Sequence, residues 1–441
     1  MRFTTLDQWL DWQSSLHPRE VDLGLARVRT VAQRLNLLPL KFPIISVAGT
    51  NGKGSSVILL DTILSLAGYR VGRYTSPHLL RYNERICVGG IEASDTQLCQ
   101  VFNLIEEVRD DISMTFFEFG TLAALLVFQH SNVDLAVLEV GLGGRLDAVN
   151  IVAPEIALVT TVDIDHVELL GHDREDIGFE KAGIFRAQCP AVCSDANPPQ
   201  SLLKHAERLQ VSLYRLGQDF TYTKNLTSKT WTWQSLSLRQ ADLPIPRLLG
   251  EFQFQNAAGV LMVLELLNKQ FPVPETAIHQ GLVNVIFPGR FQVLAGRVTR
   301  ILDVAHNPLS ARVLADLLRQ HPCQRETHAV VGMFKDKDIV GVLQVMQNHV
   351  THWHVATLNV SRGVTADCLV NHLMALGANR IHTYSSITNA YQYLLSHAAD
   401  GDRIVVFGSF YTVAEVLRVE NGNLVTSKSK GLDSKISHVQ I

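Results

Sequence analysis

Residues 44–55 read Ile-Ile-Ser-Val-Ala-Gly-Thr-Asn-Gly-Lys-Gly-Ser, and this stretch decides how the first half of the chain folds. The run 44–48 predicts a buried strand that stops at Gly49, and apolar residues at helical spacing follow Ser55. A glycine-rich loop between a strand and a helix is typical of a phosphate site. Backbone N–H groups, the helix N-terminus and the Lys53 ammonium group would all attract anions there.

The loop departs from the strict pattern Gly-x-x-x-x-Gly-Lys-Ser/Thr at two positions, because residue 47 is Val and residue 54 is Gly. A glycine-rich turn without a ligand is therefore the alternative, although the lysine and the strand–loop–helix context favour a nucleoside triphosphate. Lys53 is the candidate catalytic cation. The predicted nucleotide-binding residues of the loop are Gly49, Thr50, Asn51, Gly52, Lys53, Gly54 and Ser55.

Two further apolar runs, at 134–140 and 156–162, alternate with helical patterns and predict a parallel sheet covered on both faces. The helical patterns lie at 96–109, 119–129 and 173–186. Residues 211–239 are rich in Thr, Ser and Lys with interspersed aromatics, which predicts an antiparallel hairpin at the edge of this domain.

A second α/β set follows a Pro- and Gly-punctuated stretch that ends near Phe287. Its predicted strands are 299–304, 328–332, 352–356 and 403–407, and its predicted helices are 308–320, 337–347, 364–376 and 386–398. We therefore expect an α/β protein with one domain at 1–287, a second at 288–419 and a flexible tail at 420–441.

The composition of the chain indicates which partners and which cellular compartment to expect. The 441 residues are 46% hydrophobic and 18% charged, with a net charge of 39 − 42 = −3, which disfavours nucleic acid as the main partner. Six cysteines occur without a Cys-x-x-Cys pair, no apolar run approaches 18 residues, and acids soon follow the N-terminus. We expect a reduced, cytoplasmic protein that binds neither nucleic acid nor membrane, and no pattern indicates an oligomer.

Polar residues at strand ends are candidate metal ligands. Glu139 ends one apolar run, where a carboxylate could hold Mg²⁺ against phosphates. His166 ends the next, but Mg²⁺ prefers oxygen, so the residues alone favour an ordinary polar histidine. Ser76 lies in a Ser-Pro turn, and Lys181 pairs with Glu180 in a predicted helix; both are ordinary surface features by themselves.

The motifs together resemble the folate branch of the Mur-ligase superfamily, dihydrofolate synthase and folylpolyglutamate synthase, from about residue 20 to about residue 418. The resemblance rests on residues 49–55, on Leu-Glu-Val-Gly-Leu-Gly-Gly-Arg-Leu-Asp-Ala at 138–148, and on Leu-Asp-Val-Ala-His-Asn-Pro at 302–308. It implies an N-terminal P-loop parallel-sheet ATPase domain of the Mur-ligase central-domain type. A smaller C-terminal Rossmann-like α/β domain would follow.

The resemblance also implies site residues. Ser76, Glu139 and His166 would hold Mg²⁺, with two metal sites in all, and Lys181 would be a catalytic, carbamylated lysine. Carbamylation needs a neutral amine, yet at a pKa of about 10.4 only about one lysine in 2,500 is neutral at pH 7. Burial would have to lower that pKa.

Substrate contacts follow from the same resemblance. The implied pterin contacts are Thr115, Phe116, Phe117, Glu118, Leu146, Asp147 and Ala148. Asn256, Arg290 and Asp303 would bind ATP, His306 would act in catalysis or on glutamate, and Ser409 would contact the glutamate carboxylate. Phe252 departs from the family pattern, which has histidine there.

The implied activity is ATP-dependent addition of L-glutamate to dihydropteroate and to reduced folates, by a monomer. Alternatives are a folylpolyglutamate synthase alone, a peptidoglycan-type Mur ligase, a regulatory P-loop NTPase and a non-catalytic folate-binding module. Only 48 residues precede Gly49, too few for the extra domain of the peptidoglycan ligases. A switch NTPase would not need the second domain.

Overall fold

The computed structural model describes residues 2–225 and 227–429, with side chains as far as residue 422, and divides into two compact units. The first unit runs to Arg247 and resumes over Glu251–Ile286. The second takes Leu248–Gly250 and the chain from Phe287 onward. The short segment Leu248–Gly250 is thus separated from the first unit, to which the sequence assigns it.

The first unit is a mixed α/β fold. Among its described residues the helices are α1 (Leu6–Leu16), α2 (Ala26–Arg34), α3 (Lys53–Leu66), α4 (Asp95–Arg109), α5 (Phe116–His130), α6 (Val167–Leu170), α7 (Arg174–Ala182), α8 (Gln200–Arg208), α9 (Glu251–Leu267) and α10 (Glu275–Asn284). The strands are β1 (Ile44–Ala48), β2 (Val71–Tyr74), β3 (Ile86–Val88), β4 (Ile91–Glu92), β5 (Leu135–Glu139), β6 (Ile156–Val159), β7 (Ala191–Cys193), β8 (Leu213–Arg215), β9 (Phe220–Asn225), β10 (Thr230–Ser235) and β11 (Arg239–Pro244).

Eight strands form the main sheet in the order β4-β3-β2-β5-β1-β6-β7-β8. Neighbouring strands pair in parallel except at β2–β3 and β3–β4, so β3 runs opposite to the other strands. Every residue of β1, β5 and β6 is buried, as expected for strands with helices on both faces. The predicted helix-covered parallel sheet is confirmed.

The strand order places a topological switch at the centre of this sheet. From β1 the chain proceeds to β2 on one side, whereas from β5 it proceeds to β6 on the other side. Ligands of open α/β sheets bind beyond the carboxyl ends of the strands at such a point. The residues that follow β1, β2, β5 and β6 therefore lie where a ligand is expected.

The region 211–239 contains more than the predicted hairpin. Strands β9, β10 and β11 form a separate three-stranded antiparallel sheet. Trp231 and Trp233 are fully buried on β10, and their indole N–H groups donate to Pro244 O (2.9 Å) and Ala258 O (3.1 Å). The third strand was missed because it is largely exposed and carries no apolar alternation.

The second unit is a smaller α/β fold with a six-stranded sheet in the order β12-β13-β17-β14-β15-β16, parallel except for β12. Its strands are β12 (Gln292–Leu294), β13 (Thr299–Leu302), β14 (Thr327–Val331), β15 (His352–Ala356), β16 (Ile381–Tyr384) and β17 (Arg403–Phe407). Its helices among the described residues are α11 (Pro308–Gln320), α12 (Ile339–Met346), α13 (Ala366–Ala375), α14 (Ile387–His397) and α15 (Phe410–Ser429).

Three features of this unit differ from the sequence prediction. The short strands β12 and β16 were not predicted, because both are edge strands without a buried apolar run. Helix α15 extends into the predicted tail as far as Ser429. Glu420 is held by Arg300 (3.1 Å) and by the Tyr391 hydroxyl (2.6 Å), and residues 430–441 lie outside the described residues.

Within the described residues, no helix combines the length and apolarity required to cross a membrane.

Acid is expected to destabilise the second unit through His354 on β15. This histidine is 2% exposed, and burial followed by the neighbouring His328, His382 and His352 lowers its pKa to about 3. The ordinary histidine pKa is 6.5. Because the folded pKa lies below the unfolded one, the stability is fully present above pH 6.5. It falls by up to about 1.4 kcal/mol for each pH unit between 6.5 and 3.

Urea unfolding of His354→Gln and wild type between pH 7 and 4.5 tests this, because the variant should lose less stability over the same range. His130→Gln, at the exposed end of α5, is the control and should keep the wild-type slope. Other groups also contribute in this range, among them His328, whose pKa burial lowers from the ordinary value of 6.5. The comparison with the variant isolates His354. Parallel slopes for His354→Gln and wild type would contradict the assignment.

Candidate functional site

The loop between β1 and α3 approaches its neighbours too closely for any residue but glycine at two positions. A Cβ on Gly49 would lie 1.8 Å from Thr160 Oγ1, and one on Gly52 would lie 2.4 Å from Asn256 Oδ1. Gly52 also has φ +88°, which L side chains rarely adopt. The predicted ATP contact Asn256 is therefore placed directly against the predicted phosphate loop.

Residues after β6 hold this loop in shape. Thr50 N donates to Thr161 O (2.7 Å), and Thr160 Oγ1 donates to Asn51 O (2.7 Å). Sequence reasoning missed Thr160 and Thr161, because nothing local to them indicates a partner more than a hundred residues away.

Lys53 begins α3, and its ammonium group donates to Gly49 O (2.8 Å) and Thr50 O (3.2 Å). Among the described residues, no side chain caps this helix at Gly52. Carbonyl oxygens of the loop therefore hold the Lys53 ammonium group. Beside it, among the described residues, no side chain caps the N-terminus of α3. This is an arrangement for binding phosphate oxygens.

Two of the three predicted metal ligands lie together at the carboxyl edge of the sheet. Glu139 ends β5 and is 5% exposed, and its Oε2 accepts a hydrogen bond from Ser76 N (3.0 Å) just after the adjacent strand β2. A carboxylate beside a hydroxyl residue fits Mg²⁺, which takes few protein oxygens and keeps phosphate oxygens and waters.

His166 follows β6 in a left-handed conformation, with φ 53° and ψ 44°. Its backbone N–H donates to Asp165 Oδ1 (2.8 Å), and its Nε2 lies 3.9 Å from the same oxygen. Non-glycine residues in this conformation are often found at functional sites. Over the described ranges, no three His, Cys, Asp or Glu side chains are arranged to hold a metal.

Lys181 on α7 has the lowered amine pKa that carbamylation requires. It is 3% exposed, and burial, with a smaller contribution from the charge of Lys53, lowers its pKa to about 7. Asp165 and Glu180 act in the opposite direction but do not offset this. About half of the amines are therefore neutral at pH 7, instead of about one in 2,500.

Asp147 starts a short 3-10 helix at 148–151 and is 2% exposed. Its carboxylate accepts hydrogen bonds from Leu142 N (2.8 Å) and Val149 N (2.9 Å). Burial raises its pKa to about 7, although the charge of Lys53 partly opposes the shift. The charge of Lys53 thus acts on both Lys181 and Asp147, which places the phosphate loop, α7 and the 141–147 loop in one electrostatic neighbourhood.

Aromatic rings gather around the N-terminus of α5. Phe117 lies 5.8 Å from Tyr74 and packs on Gly141, where a Cβ would lie 2.6 Å from its ring. Phe116 lies 5.6 Å from Tyr82, with the Arg85 guanidinium 5.3 Å from the Phe116 ring. Phe116 and Phe117 are half-buried and not core residues, as a wall for a flat ring requires.

The other predicted pterin contacts lie at the N-terminus of α5 and in the segment that follows β5. Thr115 and Glu118 form the capping box of α5: Glu118 N donates to Thr115 Oγ1 (3.2 Å) and Thr115 N donates to Glu118 Oε2 (2.8 Å). Leu146 is half-buried beside Asp147, and Ala148 is buried.

In the second unit, Arg290 and His306 lie around Phe410. The Arg290 guanidinium lies 5.3 Å from the Phe410 ring, and the His306 ring lies 6.2 Å from it. Asp303 accepts hydrogen bonds from Phe291 N (2.8 Å) and Ala305 N (2.8 Å), and burial raises its pKa despite the charge of Arg290.

Ser409 lies at the start of α15. Its hydroxyl bonds to Thr412 Oγ1 (2.7 Å), accepts from Thr412 N (3.0 Å) and is 2% exposed. These contacts are those of a residue that caps the start of α15. Ser409 therefore has a capping role at the first turn of that helix, and its contact with the glutamate carboxylate stays a prediction.

Two family models match the chain: "Mur ligase middle domain" over residues 47–264 and "Mur ligase, glutamate ligase domain" over 289–410. A dihydrofolate synthase/folylpolyglutamate synthase of Escherichia coli K12 is 41% identical over 415 residues, which are 94% of this chain and 95% of that one. This chain belongs to the Mur ligases of the dihydrofolate synthase/folylpolyglutamate synthase family. The predicted family and the predicted two-domain α/β fold are confirmed.

Solved structures of the dihydrofolate synthase/folylpolyglutamate synthase family have the same fold as this chain. E. coli FolC in complex with DHPP and ADP superposes with a TM-score of 0.89 at 40% identity, covering 96% of this chain and 99% of that chain. A bifunctional folylpolyglutamate synthase/dihydrofolate synthase with Mn, AMPPNP and L-glutamate bound has a TM-score of 0.87 at 42% identity, covering 95% and 98%. These relatives bind a nucleotide, and one of them binds it with a divalent metal and the amino acid.

Proposed function

We propose that this chain joins L-glutamate to dihydropteroate, forming dihydrofolate, and adds further glutamates to reduced folates with ATP. It is an ATP-dependent ligase of its family, and the names of its relatives carry both activities. The observation that carries the proposal is the phosphate loop, in which Lys53 donates to Gly49 O and Asn256 lies against Gly52. A ligase site needs a phosphate loop, a lysine with a lowered pKa and a segment that binds the pterin. Residues 49–55, Lys181 and the segment around Asp147 would supply them.

The reaction proceeds in two steps. A carboxylate oxygen of the pterin substrate attacks the γ-phosphorus of ATP, the bond to the β–γ bridging oxygen breaks, and ADP leaves with that oxygen. The neutral α-amino group of glutamate then attacks the carbonyl carbon of the acyl phosphate. Phosphate leaves, the amine loses a proton, and the amide remains. No protein nucleophile takes part.

The described residues divide this work. Residues 49–55 and Asn256 would cradle the phosphates, and Lys53 would oppose the charge on the transferring phosphoryl group. From the second unit, Arg290 and Asp303 would bind the nucleotide, and His306 would act in catalysis or in placing glutamate.

Ser76, Glu139 and His166 would hold Mg²⁺. The Lys181 carbamate would serve a second Mg²⁺, and the metal would supply neutralising charge for the phosphates. The carboxylate and hydroxyl at Glu139 and Ser76 fit that ion, as their chemistry shows.

Thr115–Glu118 and Leu146–Ala148 favour the bifunctional activity, because the half-buried aromatic pair can wall a pterin without a glutamate tail. The alternative is a folylpolyglutamate synthase alone, which would act only on substrates that already carry glutamate. We further propose that the enzyme acts in the cytoplasm as a monomer and without nucleic acid. Its net charge of −3 and its free cysteines support this.

ADP formation that depends on L-glutamate, measured with dihydropteroate and separately with a reduced folate, tests the proposal. We expect activity with both acceptors, and mass spectrometry should find dihydrofolate from the first. Reactions without glutamate and a Lys53→Ala preparation control for contaminating ATPase. Activity with the reduced folate alone would establish the polyglutamate synthase alternative. Glutamate-independent hydrolysis would establish a switch NTPase, and no stimulation by any pterin would contradict the proposal altogether.

A further inference from the structure

Arg27, in the first turn of α2, joins two carboxylates that are far apart in sequence. Its Nη2 donates to Asp22 O (2.7 Å), and its Nη1 contacts the Asp22 carboxylate. On the other side, Nη2 lies 3.1 Å from Glu118 Oε1 and Nε donates to Glu118 Oε2 (3.4 Å). Neither the motifs nor the spacing of the sequence singled out Arg27 or Asp22.

The Glu118 carboxylate depends on this arginine. The side chain is 3% exposed, and its Oε2 also accepts from Thr115 N (2.8 Å) in the capping box. A buried carboxylate is costly unless a cation compensates it. Arg27 is the cation that pairs with Glu118 among the described residues.

One oxygen of Glu118, Oε1, is buried and is compensated by charge alone. Arg27 approaches Oε1 as an ion pair and not in hydrogen-bond geometry, and Oε1 accepts no hydrogen bond from the described residues. The Phe116 and Phe117 rings neighbour it along the same turn of α5. A carboxyl group beside aromatic rings suits a flat heterocycle that carries N–H donors.

The segment Asp22–Gly24, which Arg27 contacts, also bonds to the loop after β5. Gly24, between α1 and α2, donates its N–H to Leu146 O (3.1 Å). Asp22 and Gly24 are two residues apart, so fixing one through Arg27 restrains the other. Arg27 thereby links the two segments, Thr115–Glu118 and Leu146–Ala148, that the proposed function assigns to the pterin.

We propose that Arg27 is a positioning residue of the pterin site, which keeps Glu118 and the Asp22–Gly24 segment in their binding arrangement. This inference rests on the proposed function. Arg27→Ala should raise KM for dihydropteroate by at least about tenfold, while KM for ATP changes less than about twofold. Arg27→Lys keeps the charge but loses the planar fork, so its KM for dihydropteroate should lie between those of Arg27→Ala and wild type.

Arg19→Ala is the matched control. Arg19 also pairs with the Asp22 carboxylate (3.3 Å), but it is 74% exposed and is not among the ion-pair partners of Glu118. It should leave both KM values at the wild-type level. A thermal unfolding curve for each variant separates loss of fold from loss of positioning, and Arg27→Lys serves where Arg27→Ala does not fold.

A double-mutant cycle with Glu118→Gln tests whether Arg27 acts through Glu118. In the Glu118→Gln background, Arg27→Ala should add less than about twofold to KM for dihydropteroate. Equal increases of both KM values, full additivity in the cycle, or unchanged KM in Arg27→Ala would each overturn the inference. If wild type shows no glutamate-dependent activity with dihydropteroate, the proposed function fails instead, so the two failures are distinguishable.

Discussion

Replacing Lys53 with alanine is expected to lower kcat for glutamate-dependent ADP formation about a thousandfold or more. The Lys53 ammonium group lies inside the phosphate loop, 2.8 Å from Gly49 O, where the transferring phosphoryl group would be. Removing one preorganised donor to developing charge already costs about 10²- to 10³-fold, and Lys53 contributes a full charge as well. Steady-state kinetics at saturating ATP, glutamate and pterin measures the loss.

Pterin binding should survive in the same variant. Thr115–Glu118 and Leu146–Ala148 are held by backbone hydrogen bonds and by the Arg27–Glu118 ion pair, so calorimetric titration should still detect dihydropteroate, with Kd changed only through the charge that Lys53 exerts on Asp147. Lys41→Ala, an exposed lysine just before β1, is the control and should behave as wild type in both assays. A Lys53→Ala enzyme with more than about a tenth of wild-type kcat would contradict the assigned role.

The same variant reports on the neighbours of Lys53. Its positive charge lowers the pKa of Lys181 and of Asp147, so removing it should raise both pKa values. For Lys181 this means a smaller neutral fraction at pH 7. The loss of Lys53 should therefore also reduce modification of Lys181, which intact-mass measurement detects independently of turnover.

Local signals in the sequence predict the phosphate loop well. A glycine-rich loop between an apolar strand and a helix is specified by residues close in sequence, and the structure places Gly49 and Gly52 where a Cβ would clash. Glu139 is also predictable, because the carboxyl end of a buried parallel strand has a known place at the sheet edge. Ser76 lies beside it because β2 and β5 are neighbours.

Contacts between distant segments could not be predicted. Arg27 and Glu118 are 91 residues apart, and nothing in either neighbourhood indicates the other. The pKa of Lys181 depends on burial and on the charge of Lys53, which exist only once α7 packs near the phosphate loop. The capping role of Ser409 is of the same kind, since the motif indicated a substrate contact but not that its hydroxyl also caps a helix. Such roles require the coordinates of the partner.

Replacing Lys181 with methionine should lower kcat at least about a hundredfold without destabilising the fold. Methionine keeps the length of the side chain but has no amine, and at 3% exposure it removes the cost of burying a charge. The loss follows because the neutral amine would attack carbon dioxide, form an N–C bond and release a proton. The product is an anion that would help to hold a metal near the phosphates.

The pH and carbon dioxide dependence of wild type tests the same idea. The pKa of Lys181 is lowered to about 7, so its neutral fraction rises as the pH increases through 7. Enzyme prepared free of carbon dioxide should therefore start with low activity, and at a fixed concentration of dissolved carbon dioxide it should recover faster at pH 8 than at pH 6. Lys204→Ala, an exposed lysine on α8, is the control and should keep the wild-type response.

Two further measurements separate modification from a purely structural role of Lys181. Intact-mass spectrometry should show the gain of one carbon dioxide in active wild type and none in Lys181→Met. In Lys181→Ala, millimolar acetate should recover part of the activity, because a small carboxylate can enter the space left by the side chain and replace the carbamate. If unmodified wild type is fully active, or Lys181→Met retains wild-type kcat, the lysine acts only in packing, and the second metal must be held by other groups.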